Sequence, residues 1–209
     1  YFYTINKINF KIMININESV AKASKSLMFK EPFYGMFLIS LNKHIDKNIP
    51  TACVSKNNIN CQLSINPDFW NGLQDNIKIA VLKHELLHIA FFHLTTHHEF
   101  ADHELHNIAA DLEINQYIQS EYKGSDWVGL ELSSYPELNL PVKAGTKKYY
   151  ELLSQINNNR QKGNPSQGGT PSQGGTHGDN DGSSPEKSKI WDVYDAMKQG
   201  ETVVCSHEA

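Results

Sequence analysis

Two histidines four residues apart with a glutamate after the first, in the string His84-Glu85-Leu86-Leu87-His88, are the residue types and spacing in this chain best suited to chemistry. On a helix that spacing stacks both imidazoles on one face, one turn apart, where they can share a single Zn2+. Glu85 projects toward the same opening and can take a proton from a water that the metal activates. This is the arrangement of a zinc metalloendopeptidase, with His84 and His88 as ligands and Glu85 as general base.

The element that must position them is a helix. Counting about 100° per residue from His84, the residues Ile77, Val81, Leu82, Leu86, Ile89 and Phe92 and their apolar neighbours cover nearly the whole circumference. That marks a buried central helix running to about Leu94, with Asp75 as its expected N-cap. Two histidines and a glutamate are costly in such surroundings unless something binds them. The duller alternative is a pair of core histidines bonded to backbone beside a surface glutamate.

A catalytic zinc takes three protein ligands and keeps one position for water. His93 is nearest in sequence, but on a continuous helix it points roughly 180° from His84 and reads as a structural hydrogen-bonding residue. The next predicted helix spans residues 103–119, with Leu105, Ile108, Ala109 and Leu112 as its apolar stripe. With Ile108 at 0°, Asp111 falls at about 300°, on the edge of the buried face, where a carboxylate needs a cation or a donor. Glu113 falls at about 140° and reads as solvated. Asp111 ranks first as third ligand, Glu104 second and His93 third.

Around these helices the pattern predicts an α+β domain, mostly helical with a small hairpin beside the metal helix. Residues 18–29 have helical composition, and Pro32 opens a second helix whose Phe33, Phe37, Leu38 and Leu41 are expected in the core. Short β-branched runs at 51–55 and 59–65 form the hairpin, ended by Asn66-Pro67. A strand edge beside the metal could hold an extended peptide by main-chain bonds. The His-rich connection 95–106, with His97, His98, His103 and His106, reads as a solvated loop and helix start. Thr146 is the expected cap of a helix containing Tyr149, Tyr150, Leu153 and Ile156, whose tyrosines fit core packing better than an oxyanion role. Cys53, Cys61 and Cys205 lack metal-finger spacing and read as reduced residues.

The chain of 209 residues divides by composition into four parts. Residues 1–12 are an extension or a fragment edge, residues 13–156 form the domain, and residues 157–188 are a low-complexity disordered linker or insertion. The last contains the tandem repeat Pro-Ser-Gln-Gly-Gly-Thr over residues 165–176. Residues 189–209 are an incomplete C-terminal segment, too short to fold alone. A net charge of −4 without a basic cluster argues against nucleic acid as a partner. No run reaches the roughly 18 uncharged apolar residues of a membrane span, so a soluble, cytoplasmic protein is expected.

Four strings together resemble a known family, the "putative metallopeptidase domain" of bacterial and phage proteins. They are Pro32-Phe33-Tyr34-Gly35, the run Leu63-Ser64-Ile65-Asn66-Pro67-Asp68-Phe69-Trp70, the His84-to-His88 string with His93, and Asn107-Ile108-Ala109-Ala110-Asp111-Leu112-Glu113-Ile114-Asn115. The resemblance implies a zincin-like fold with Asp111 as third ligand. Members often carry a von Willebrand A-like segment afterwards, of which no complete copy follows here. Where many have an arginine three residues after His93, this chain has Thr96. Peptide or protein is the expected substrate. The rival expectations are a non-catalytic zinc-stabilised scaffold or adaptor, closed by a fourth ligand such as His93 or Glu104, and a phage or host assembly-maturation factor.

Overall fold

A computed structural model describes residues 2–57, 60–162 and 189–199. The first helix, α1 (Phe2–Lys30), buries Ile16, Val20, Ala23 and Leu27, a stripe with helical spacing that faces the rest of the domain. Helix α2 (Pro32–Ser40) follows after one residue, with proline in the first turn, where a missing N–H costs nothing. It turns back tightly on α1, and a Cβ on Gly35 would lie 2.2 Å from the Met28 Cα, so only glycine permits the approach. Gly35 and Leu38 form the buried face of α2, which leaves Phe33 on the opposite side and 70% exposed, not in the core as expected.

The sheet has three strands in the order β1-β3-β2. Strand β2 (Ala52–Asn57) pairs antiparallel with β3 (Asn60–Ile65), from Ala52 opposite Ile65 to Asn57 opposite Asn60. The expected hairpin is present with its ladder shifted outward, because Lys56 and Asn57 pair in β2 instead of belonging to the turn. Strand β1 (Asn42–Ile45), absent from the sequence reading, lies parallel to β3 on its other side. Helix α3 (Pro67–Gly72) is capped by Asn66, whose Oδ1 accepts from the N–H groups of Asp68 at 2.7 Å and Phe69 at 3.1 Å.

Helix α4 (Asp75–Ala90) carries the two histidines and is buried on most of its circumference. Gln74, not Asp75, holds its N-cap position, and Asp75 pairs with Lys22 at 2.6 Å instead. Nor does the helix run to Leu94: Phe92 adopts a left-handed conformation with φ 63°, and a new short helix, α5 (His93–Thr96), begins. Lys83, fully buried on α4, ties the helix to the α1–α2 junction through Glu31 at 2.7 Å and to Gln119 at 2.6 Å. Helix α6 (His103–Ile114) is capped by Asp102 and passes into a 3-10 turn over Asn115–Tyr117, short of the expected end at residue 119. After the short α7 (Ser120–Lys123), α8 (Thr146–Lys162) and α9 (Lys189–Lys198) pack against α6.

Two apolar clusters result. One joins α1, α2, the sheet and α4; the other joins α6 with Tyr149, Leu153, Ile190, Trp191 and Tyr194. The polar face of α4 meets that of α6 at their seam. Residues 157–162, expected in the linker over 157–188, instead continue α8, with Asn157 buried, while the rest of that stretch and Cys205 lie outside the described residues. Among the described residues no helix is long and apolar enough to cross a membrane.

Candidate metal centre

At the seam, His84 and His88 of α4 meet Asp111 of α6, with one ligand atom from each lying within 4.8 Å of the others. The Nε2 atoms of the histidines are 3.0 Å apart, and Asp111 Oδ1 lies 3.2 Å from His88 Nε2 and 3.6 Å from His84 Nε2. Ligand atoms on a tetrahedral ion with bonds of about 2.0–2.2 Å are separated by roughly 3.3–3.5 Å, so this triangle matches one face of such a site.

The outer hydrogen bonds assign both protons. His84 Nδ1 lies 2.8 Å from Asn115 Oδ1, an atom that only accepts, so His84 carries its proton on Nδ1 and turns an Nε2 lone pair inward. On the other side the hydrogen-bond relay starts at Glu113. Its Oε2 accepts from the backbone N–H of Thr146 at 2.6 Å and from the Thr146 hydroxyl. With its proton committed there, Thr146 Oγ1 accepts from His93 Nε2 at 2.9 Å, which makes His93 Nδ1 an acceptor. His93 Nδ1 therefore receives the His88 Nδ1–H across 3.1 Å, and His88 too is left with an Nε2 lone pair facing inward. Two lone pairs and a carboxylate oxygen converge at one point.

That convergence is repulsive without a cation. Asp111 Oδ1 is buried and lacks hydrogen-bond geometry to any donor among the described residues, despite its closeness to both imidazoles. Burial pushes the Asp111 carboxyl above its ordinary range, with the opposing influence of His84 and His93 too small to reverse it. Glu85 is 2% exposed, and its Oε2 also has no hydrogen-bond partner among the described residues. Burial, and then the Asp111 charge, hold Glu85 well above the usual carboxylate range, against the backbone N–H that Val54 of β2 donates to it. A divalent ion satisfies all of these groups at once, and the mix of imidazole nitrogen and carboxylate oxygen fits a borderline metal.

Of the sequence candidates, His84, His88 and Asp111 are thus brought together with Glu85 beside them. Glu104 is elsewhere, paired with Lys198 at 2.8 Å near the start of α6. His93 is not in the cluster but holds His88 from outside, because the left-handed Phe92 breaks the helix and swings it back. Glu113, expected in solvent, is 9% exposed and anchors the Thr146–His93 relay. Asn115 and Thr146 were not assigned to the site from sequence, although Asn115 lies four residues after Asp111 and so shares its face. Tyr149 is fully buried, its hydroxyl donating to Pro141 O at 2.7 Å, and the Tyr150 hydroxyl accepts from the Asp102 N–H at 3.1 Å, so neither faces the centre.

A pocket of about 110 Å3 is lined by His84, Glu85 and Asp111 of the cluster together with apolar side chains. Cys53 and Cys61 are free thiols, and burial, followed by the charge of Glu85, pushes Cys53 up to about 11.

A mostly helical α+β fold with two histidines and an aspartate converging between its two cores defines a candidate metalloprotein. The chain belongs to the family described as "Putative metallopeptidase domain", which it matches over residues 16–189. No curated protein and no solved structure matches it.

Proposed function

We propose that the protein is a zinc-dependent metalloendopeptidase of zincin-like fold, with His84, His88 and Asp111 as ligands and Glu85 as general base. The observation that carries this reading is a buried Glu85 carboxylate oxygen without a partner, beside three converging metal-ligand atoms. Bound there, zinc would supply a Lewis acid that makes water a nucleophile near neutral pH and polarises a carbonyl.

The chain's own groups do the rest. Val54 N–H fixes one end of the Glu85 carboxylate, so the other oxygen can take a proton from the attacking water and deliver it to the leaving amine. A raised affinity for protons in Glu85 suits a group that must hold one between two steps. Strand β2 is an edge strand, and Thr51 and Ala52 line the pocket with Glu85, which supports an extended peptide as substrate. A structural site would need a fourth protein ligand, and among the described residues the cluster has three.

The test compares wild type, Glu85→Gln and Asp111→Asn for zinc stoichiometry, melting temperature and peptide cleavage. Glu85→Gln is expected to keep zinc and lose roughly 10²-fold or more in turnover, while Asp111→Asn loses metal and stability together. Equal turnover in wild type and Glu85→Gln overturns the mechanism. Full zinc in Asp111→Asn removes Asp111 from the ligand set.

A further inference from the structure

The pocket beside the cluster has a wall that is built, not incidental. Its apolar lining consists of Phe69, Val81, Trp127, Val128 and Leu130, and His84, Glu85 and Asp111 line the same space. Trp127 stands edge-on to His84, with ring centres 6.4 Å apart. The indole N–H donates to Glu131 Oε1 at 2.9 Å, and Glu131 is itself held by Lys123 at 2.7 Å. Beneath the ring lies Gly129, where a Cβ would sit 2.3 Å from Trp127 Cζ2. The indole can occupy this place only because residue 129 has no side chain.

The chemistry and size of the space identify what enters it. Apart from His84, Glu85 and Asp111 its lining presents no charged side chain, which disfavours charged groups there. The space is partly open, with Val128 90% exposed, and its volume of about 110 Å3 is smaller than the roughly 150 Å3 of an enclosed cavity that accepts a benzene ring. We infer that this pocket receives a branched aliphatic side chain of the peptide lying across the metal centre, and that Trp127, seated on Gly129, sets the size limit. This rests on the metallopeptidase reading and adds a substrate class to it: peptides with leucine, isoleucine or valine next to the scissile bond.

Equilibrium binding tests the pocket separately from cleavage. The full chain loaded with zinc is titrated with three peptide hydroxamates that differ only in the side chain beside the chelating group: glycine, leucine and tryptophan. Wild type is expected to bind the leucine compound at least about tenfold more tightly than the glycine compound, and the tryptophan compound no better than glycine. Trp127→Ala removes the size limit and should bring the tryptophan compound level with leucine or ahead of it. Gly129→Ala, which displaces the indole without deleting it, should likewise erase the leucine preference while zinc content stays that of wild type. Equal binding of the glycine and leucine compounds by wild type overturns the inference, as does unchanged selectivity in both variants or failure of all three compounds to bind. A protein that shows the leucine preference yet cleaves no peptide upholds the pocket and refutes the peptidase reading.

Discussion

A neutral imidazole offers one lone pair, so a histidine becomes a ligand through Nε2 only if something holds its proton on Nδ1. For His84 that is a single amide, Asn115; for His88 it is a three-member relay ending at Glu113. The relay is testable at Thr146. Thr146→Val keeps the shape but removes the hydroxyl, so zinc affinity, measured by competition with a fluorescent chelator, should fall by about tenfold or more. Thr146→Ser keeps the hydroxyl and should restore it. Unchanged affinity in the valine variant means that the relay does not fix His88. At this scale the sequence was informative wherever one helix carried the information. The four-residue spacing of His84 and His88 and the border position of Asp111 on its helix are of that kind. Glu113 was misplaced because a helical wheel shows only its own helix, and the group that buries it, Thr146, arrives 33 residues later.

The elements show where local rules were overridden. His93 reaches His88 because Phe92 adopts φ 63°, a conformation that costs a residue with a Cβ roughly 1–2 kcal/mol. Nothing in Ala90-Phe91-Phe92-His93 announces such a break, since glycine and asparagine are its usual signals. Phe92 is 66% exposed, so its ring offers little packing to lose. Phe92→Gly is therefore expected to stabilise the domain by about 0.5–1 kcal/mol in urea denaturation, with Phe92→Ala showing no such gain. Destabilisation by glycine indicates that the ring contributes more than its exposure suggests. The other point of tension is Lys83, adjacent to His84 and buried against Glu31. Removing one partner of a buried pair costs about 3–5 kcal/mol; Glu31 keeps a contact to Gln119 at 3.1 Å and some solvent, so Lys83→Met should cost nearer 2–3 kcal/mol. A loss below about 1 kcal/mol would show that hydrophobic replacement compensates.

Across the whole molecule, the alternation of apolar stripes and breakers made the α+β character and the central helix legible, but not how the second cluster closes. Ile190, Trp191, Tyr194 and Met197 form a helical stripe with no partner nearby in sequence, and they find one on α6. His106 shows the consequence of that closure. Expected in a solvated stretch, it is 1% exposed, stacked on Phe100 with ring centres 4.3 Å apart, and among the described residues neither ring nitrogen has a hydrogen-bond partner. Burial first, and then His93, His97 and His103 around it, depress its pKa from 6.5 to about 3. The sign follows from linkage. Below pH 6.5 the unfolded chain takes up a proton that the folded chain refuses, so this residue withdraws stability as pH falls, until about pH 3. The loss is at most about 1.4 kcal/mol per pH unit, or roughly 2 kcal/mol between pH 7 and 5. Metal-free protein isolates the effect from release of the ion, and His106→Phe retains the ring stack without the titrating nitrogens. Urea unfolding of both proteins at pH 7 and pH 5 should find the variant gaining about 2 kcal/mol on wild type over that interval. A difference between the two proteins that stays the same at both pH values would mean that His106 is protonated in the folded chain and that the second core is open to water there.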